Sequence, residues 1–238
     1  MYPKVSIIIP FYNCQYVDQA INSALNQTYP NIEIIVVDDG STIYTEKITP
    51  FLGKITYLKK ENGGTATALN YGIRSATGEY IAWLSSDDYF LPHKISRQIS
   101  FMLNRNAEAS FTNYDIIDKN NKVIIPWACY RISDLKQIYK AFLTFNINPV
   151  NGCTVVMKKD LFDRIGYFNP YHRYTHDYEM WLRLLVKGHQ LHFLDEVLVK
   201  FRQHEESGTN KFQLKMRKEL AEIEMYYRPL LLKYIELL

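Results

Sequence analysis

Residues 5–41 read VSIIIPFYNCQYVDQAINSALNQTYPNIEIIVVDDGS. Val5-Ser6-Ile7-Ile8-Ile9 and Ile34-Ile35-Val36-Val37 are short, β-branched apolar runs, the kind of strand that is buried on both faces in a parallel sheet. Between them Val17, Ala20, Ile21, Ala24 and Leu25 fall on one helical stripe. The stretch is a β-α-β unit, and it decides the fold class: α/β, with right-handed crossovers and a mostly parallel sheet flanked by helices.

The pattern continues outward. A third strand is expected at Ile55 to Leu58, then a glycine turn (Gly63-Gly64) and a helix from Thr65 to Ala76. A fourth strand spans Tyr80 to Leu84, a helix starts near Pro92, and Ala109 to Phe111 reads as a short fifth strand. The second half is less regular. Helices are expected over Asp134 to Phe145 and His176 to Val186, and strands at Thr154 to Met157 and Leu191 to Phe201. From Lys211, the residues Phe212, Met216, Leu220, Ile223, Tyr227 and Leu230 recur at steps of three and four, an amphipathic helix with a kink expected at Pro229.

The chain has 238 residues with 47% hydrophobic and 22% charged, enough for one large domain or a domain with a small appendage, and not a disordered composition. There are 19 Tyr; tyrosine offers both a stacking face and a hydroxyl to a wet binding surface, although base-composition bias explains the number equally well. A formal net charge of +3 is too mild for a nucleic-acid partner, which requires a dense basic stripe. Cys14, Cys129 and Cys153 form no C-x-x-C, so neither a disulfide framework nor a cysteine zinc site is indicated and a reducing compartment is the default. His172 and His176 stand four apart without an H-E-x-x-H around them. Met1 to Lys4 lead straight into a strand with no signal-peptide pattern, and no apolar run reaches the roughly 18 residues of a membrane span. The expectation is a cytoplasmic protein that can still lie on a membrane surface.

Ligands of open parallel sheets collect beyond the carboxyl ends of the strands. Strands one, two and four run into Pro10-Phe11-Tyr12-Asn13, Asp38-Asp39-Gly40-Ser41 and Ser85-Ser86-Asp87-Asp88. Two of these carry paired aspartates, hard oxygen ligands for Mg²⁺ or Mn²⁺, which would in turn hold a diphosphate. Each cluster taken alone can also be a plain turn or helix cap. The glycine loop before Thr65 can cradle phosphate at a helix N-terminus but lacks G-x-G-x-x-G and GK[ST].

In order and spacing, SIIIPFYN (6–13), IEIIVVDDGS (32–41), ENGGTATALNYGI (61–73), GEYIAWLSSDDYFLP (78–92) and HDYEMWLRL (176–184) closely resemble the family 2 glycosyltransferases, over most of the chain. The resemblance implies the GT-A fold, a Rossmann-like sheet flanked by helices, here followed by a C-terminal amphipathic helix. It implies a nucleotide-sugar-binding half (1–110), an acceptor-binding half (111–205) and a helical extension (206–238). Pro10 and Tyr12 would shape the nucleotide pocket, with Tyr12 against the base. Asp39 would accept a hydrogen bond from the base, and Asp38 would support that turn. Asn62, Gly64 and Asn70 would line the nucleotide side, and Ser86 and Asp87 would also bind the nucleotide sugar. Asp87 matches the last aspartate of the D-x-D motif, the metal ligand, with Asp88 or His204 as further ligands. Asp177 matches the general base, on a helix supported by Trp181 and Arg183.

The chain departs from the family at Ser85, where the D-x-D motif begins with aspartate, and at His176, where glutamate is frequent. The Q-x-x-R-W signature of processive members is absent, which implies transfer of a single sugar. The implied activity is inverting transfer from a nucleotide-diphosphate sugar to a glycan or lipid-linked acceptor, in cell-surface polysaccharide or glycolipid assembly, with Mn²⁺ or Mg²⁺ as cofactor. The terminal helix, with Lys211, Lys215, Arg217 and Lys218 beside its apolar stripe, is a candidate for peripheral membrane contact, for a homodimer, or for docking on its own domain. Two other classes fit an α/β nucleotide cleft, namely a nucleotide-sugar-binding module without turnover and a nucleotidyltransferase. The latter would carry a glycine-rich basic loop after strand one, where this chain has Pro10-Phe11-Tyr12-Asn13.

Overall fold

A computed structural model describes residues 2–129, 132, 134–143, 148–205, 207 and 212–236. The strands are β1 (Val5–Phe11), β2 (Ile32–Asp38), β3 (Thr56–Lys59), β4 (Tyr80–Trp83), β5 (Tyr89–Phe90), β6 (Ala109–Ile117), β7 (Val123–Ile125), β8 (Val156–Lys158) and β9 (Leu191–Arg202). The helices are α1 (Val17–Leu25), α2 (Thr65–Ser75), α3 (Lys94–Asn104), α4 (Leu135–Leu143), α5 (Lys159–Ile165), α6 (His176–Val186) and α7 (Gln213–Glu236), with 3-10 turns at Thr45–Phe51 and Gly152–Thr154. Of the expected helix over Asp134 to Phe145, Thr144 and Phe145 lie outside the described residues, as does Lys211.

One sheet, in the order β3-β2-β1-β4-β8-β6-β9-β5 with β7 beside β6, runs through both halves of the chain. The expected mostly parallel sheet is present, with three strands (β5, β7 and β8) running against its direction. β3, β2, β1 and β4 are parallel, but β8 enters antiparallel between β4 and β6, and β5 and β7 also pair antiparallel. Because β8 inverts the direction twice, β6 and its parallel partner β9 point the same way as β1 and β4. The carboxyl ends of β1, β2, β3, β4, β6 and β9 therefore share one edge, where ligand sites of α/β sheets form.

The period of two along each strand splits the core. Ile8, Ile35 and Val37 face Ala66, Leu69 and Ile73 of α2, in the same cluster as buried residues of α4, α5, α6 and α7. Ile7, Ile9 and Val36 face Val17 and Ile21 of α1 and Ile95 and Ile99 of α3. α7 runs on through Pro229 as one helix. Its apolar stripe is spent within the chain, since Leu220, Ile223, Tyr227 and Leu231 are buried in the α4–α6 cluster. Among the described residues, no helix is long and apolar enough to cross a membrane. The three cysteines are free thiols.

Candidate active site

The loops after β1 and β2 are laced together. Asn13, held at φ 48°, accepts the amides of Thr42 and Ile43 on its side-chain oxygen at 2.8 and 3.1 Å, and its own amide donates to Ser41 Oγ at 3.1 Å. Tyr12 stands beside this knot with 54% of its surface exposed, so its ring face is open. Pro10 lies buried within β1. Asp38 ties the turn to β3: Oδ1 accepts Ser41 N–H at 2.7 Å and Oδ2 accepts the Tyr57 hydroxyl at 2.6 Å.

Asp39 is the hub of the glycine loop. Its Oδ1 accepts Gly63 N–H at 3.0 Å and Lys60 Nζ at 2.6 Å, and its Oδ2 accepts Gly64 N–H at 2.7 Å. Gly64 sits at φ +88°, a conformation that L side chains avoid, which lets two successive amides converge on one carboxylate. The loop's anion site is thus filled by the chain's own aspartate rather than left open to phosphate. One lone-pair direction on Oδ2 remains for a ligand N–H. Asn62 bonds the Asp39 carbonyl at 2.9 Å, and Arg173 reaches over Gly64 to Asn62 Oδ1 at 3.1 Å. Asn70, expected along the nucleotide side, is instead buried, with both ends of its amide on the Phe168 backbone at 2.8 and 3.0 Å. A buried amide must satisfy both ends, and this one pins α2 to the loop ahead of α6.

The Ser85–Asp88 turn sorts its side chains by partner. Ser85 Oγ lies 2.9 Å from Cys153 Sγ, the thiol donates to Asp88 Oδ2 at 3.0 Å, and Asp88 Oδ1 accepts Arg202 N–H at 2.8 Å. Asp88 is fully buried. Burial, and then the neighbouring Asp87 charge, raise its carboxyl well above the usual range. Asp88 is therefore withdrawn from the expected metal-ligand set, because both its oxygens face the interior. Ser86 is buried against the Cys14 thiol, which burial and the Asp87 charge push up to about 11. Asp87 alone turns outward, its Oδ2 3.1 Å from His204 Nε2. The fully buried Arg202 guanidinium fixes this corner, donating to the Asp87 carbonyl at 2.8 Å, the Asp118 carbonyl at 3.3 Å and Gln19 Oε1 at 2.9 Å, and stacking 4.2 Å over the Tyr16 ring.

The Asp87 carboxylate suits a hard divalent ion, and the His204 imidazole, a borderline ligand, favours Mn²⁺ over Mg²⁺ at the pair. Two cis ligands of an octahedral Mg²⁺ or Mn²⁺ lie about 3 Å apart, which matches the Asp87–His204 spacing. Among the described residues no three His, Cys, Asp or Glu side chains gather into a cage, so an ion at Asp87 and His204 would complete its shell with diphosphate and water oxygens.

Asp177 lies in the first turn of α6, half-buried, with Oδ2 accepting Asn148 Nδ2 at 2.8 Å. Desolvation pushes its carboxyl up to about 6, against the pull of two backbone amides and Asn148. A carboxylate at that value is ionised at neutral pH yet a stronger base than an exposed one. His176 beside it is buried between Trp83 (5.5 Å) and Phe168 (5.7 Å), and burial pushes its imidazole down to about 4, so it is neutral. Gly152 gives Trp83 its place, since a Cβ there would come within 2.0 Å of the indole.

α6 is braced from below. Glu179 and Arg183 pair at 2.9 Å, Arg183 donates to the Ile165 and Tyr167 carbonyls, and Trp181 is buried. From α7, the Tyr227 hydroxyl donates to Glu179 at 2.6 Å, and Glu219 accepts Tyr174 N–H and the Thr175 hydroxyl at 3.0 and 2.8 Å. Sequence reasoning missed Tyr57, Lys60, Asn148, Cys153, Arg173, Arg202 and Glu219. Tyr57 and Lys60 were accessible by the strand-end rule applied to β3. The others act on partners remote in sequence and carry no local signal.

Residues 6–166 match the family model described as glycosyl transferase family 2. The putative teichuronic acid biosynthesis glycosyltransferase TuaG of Bacillus subtilis is 33% identical over 208 residues, covering 84% of this chain and 79% of that protein. The UDP-Glc:alpha-D-GlcNAc-diphosphoundecaprenol beta-1,3-glucosyltransferase WfaP of Escherichia coli is 36% identical over 216 residues, covering 88% and 81%. An uncharacterized glycosyltransferase of Rickettsia typhi is 42% identical over 217 residues, 87% of this chain but 66% of that protein, and the chain covers 31% of a Rickettsia bellii relative. The chain thus spans about two thirds or less of the Rickettsia relatives it matches. Among solved structures, S. aureus TarS 1–349 in complex with UDP-GlcNAc superimposes with a TM-score of 0.71 at 20% identity, over 93% of this chain and 66% of that one.

Proposed function

The chain belongs to glycosyl transferase family 2, and from that premise we propose that it moves one sugar from a nucleotide-diphosphate sugar to an acceptor hydroxyl, with inversion at the anomeric carbon. The observation that carries the reading is Asp177. It is a carboxylate with a pKa of about 6, held by Asn148 and mounted on a braced helix, in the motif that matches the family's general base.

Asp177 takes the acceptor proton as the hydroxyl attacks the anomeric carbon, and the nucleoside diphosphate departs. Tyr12 offers its open ring to the base, Asp39 its remaining lone pair, and Arg173 a positive charge over the glycine loop. Asp87 and His204 would hold a Mn²⁺ or Mg²⁺ ion, which would supply neutralisation of the charge on the departing diphosphate. Residues 1–110 form the donor-binding half, with Arg173 and His204 reaching into it from the acceptor-binding half (111–205), and α7 braces α6. By analogy with the activity for which the Escherichia coli relative is named, the donor is a UDP-sugar and the acceptor a sugar on a polyprenyl diphosphate, used in surface-polysaccharide assembly. Three free thiols fit a reducing compartment, and with the lipid-linked acceptor proposed here the work would be done at the cytoplasmic face of the membrane.

The test is a donor panel with and without Mn²⁺, read by release of nucleoside diphosphate and by transfer to a lipid-linked sugar. Metal-dependent release of UDP from one donor supports the reading. Conversion of a donor and added pyrophosphate to a nucleoside triphosphate and a sugar 1-phosphate identifies a nucleotidyltransferase, and binding of a donor with no release identifies a binding module; either result overturns it.

A further inference from the structure

The β6–β7 hairpin ends in a surface that the chemistry above does not use. Val123, Ile124, Ile125 and Trp127 are 40%, 48%, 48% and 52% exposed. A strand on a protein surface normally alternates polar and apolar residues, and this one has no polar face. Its pairing with β6 slips between Ile116↔Ile125 and Ile117↔Val123, which leaves Ile124 as a bulge. Trp127 is held at φ 50°, rarely adopted by a bulky side chain, with its amide fixed on Asp115 Oδ1 at 2.9 Å. Such strain persists where the surroundings enforce it, and it gathers at functional sites. The turn is rigid as well, because Asp118 Oδ1 accepts the Asn120 and Lys122 amides at 2.8 and 2.9 Å. That occupies the acid of the turn and leaves the exposed Lys119 and Lys122 beside the apolar strip.

Charge and composition decide the occupant. An apolar strip with an aromatic residue at its margin and lysines beside it matches the headgroup region of an anionic bilayer. A second copy adding a strand fits poorly, because β7 is three residues long, bulged and followed by Pro126, features that blunt an edge. The root of the hairpin is joined to the catalytic corner: Arg202 pairs with Ile117 in the sheet and its guanidinium bonds the carbonyls of both Asp118 and Asp87.

We propose that residues 119–127 form a membrane-docking lip whose apolar strip inserts into the headgroup region of an anionic bilayer and turns the cleft toward a lipid-linked acceptor. The purpose of the lip rests on the lipid-linked acceptor proposed above, but its binding to lipid does not. Trp181 is buried and Trp83 partly buried against Phe168 and His176, so the change between wild type and a variant lacking Trp127 reports insertion. The full chain is floated with phosphatidylglycerol–phosphatidylcholine vesicles and with phosphatidylcholine alone, and Trp127 emission is followed with brominated lipid, Trp127→Phe serving as the blank.

The expected result is flotation and a quenched, blue-shifted emission with anionic vesicles only. Ile124→Asp/Ile125→Asp should bind at least about tenfold more weakly, since losing two buried methylenes already amounts to that factor, with unchanged melting temperature and unchanged transfer to a soluble acceptor. Absent flotation, equal flotation of wild type and double variant, or a wild-type dimer that the variant dissociates, overturns the lip. Flotation without sugar transfer from any donor leaves the lip standing and sinks the glycosyltransferase reading. Transfer to soluble acceptor without flotation does the reverse.

Discussion

Replacing Asp177 by asparagine should make the protein more stable and nearly inactive at once. The carboxyl is raised from 3.8 to about 6 by desolvation. At about 1.4 kcal/mol per pH unit, that displacement costs the native state up to about 3 kcal/mol when Asp177 is ionised. Partial solvent access to the side chain, and its favourable place at the α6 N-terminus, reduce this to about 1–3 kcal/mol. The sign follows from proton binding: between pH 3.8 and about 6 the native state holds more protons than the unfolded chain, so wild-type stability falls as pH rises through that window. The substituted asparagine has no proton to lose, and its amide oxygen still accepts from Asn148. The variant should therefore match wild type below about pH 4 and exceed it at pH 8 by about 2–12 °C in melting temperature for a chain of this size. Donor binding should be unchanged, while kcat falls by about 10²–10⁴-fold. Differential scanning fluorimetry across pH, paired with UDP release, checks both halves. A variant less stable than wild type at pH 8 would refute the desolvation argument, and near-wild-type turnover would refute Asp177 as the base.

Wild-type transfer should fall off tenfold per pH unit below about 6, and a flat kcat profile down to pH 5 would argue against Asp177. Asp87→Asn should abolish the Mn²⁺-induced rise in melting temperature, with His204→Ala weakening it; an unchanged Mn²⁺ response in Asp87→Asn would move the ion elsewhere. Ser85→Asp, which restores the family's residue, should not tighten Mn²⁺ binding, because position 85 faces Cys153 and the buried Asp88; the added charge should cost about 1–3 kcal/mol or more, and a tenfold gain in Mn²⁺ affinity by calorimetry would contradict this. Glu219→Ala should lower kcat by about tenfold through misplacement of α6 with donor affinity unchanged, and Glu219→Gln, whose amide oxygen can still accept, should recover most of it; equal loss in both variants would reduce Glu219 to a stability role.

Much of the architecture was legible because its signals are local. The runs at β1 and β2, the stripe of α1 and the polar residues at three strand ends follow from periods of two and 3.6 residues, and they located the cleft edge. The five motifs in register gave the family. The stripe of α7 was equally plain, but its amphipathicity could not say whether it faces lipid, a second copy or its own domain. Burial of Leu220, Ile223, Tyr227 and Leu231 decided that.

What the sequence determined by itself, then, was the order of the elements, the edge where ligands collect and the identity of the acidic residues there. Only the tertiary structure decided which of those acids is free to act. Asp87 and Asp88 are neighbours of the same type, yet Cys153 and Arg202, 65 and 114 residues from Asp88, draw it inward and leave Asp87 facing His204. Asp39 is claimed by the amides of its own glycine loop, and Asp177 takes its pKa from burial beside Asn148. A carboxylate's role depends on its partners and its solvation, and in this fold both are supplied by chain that is remote in sequence and close only after folding.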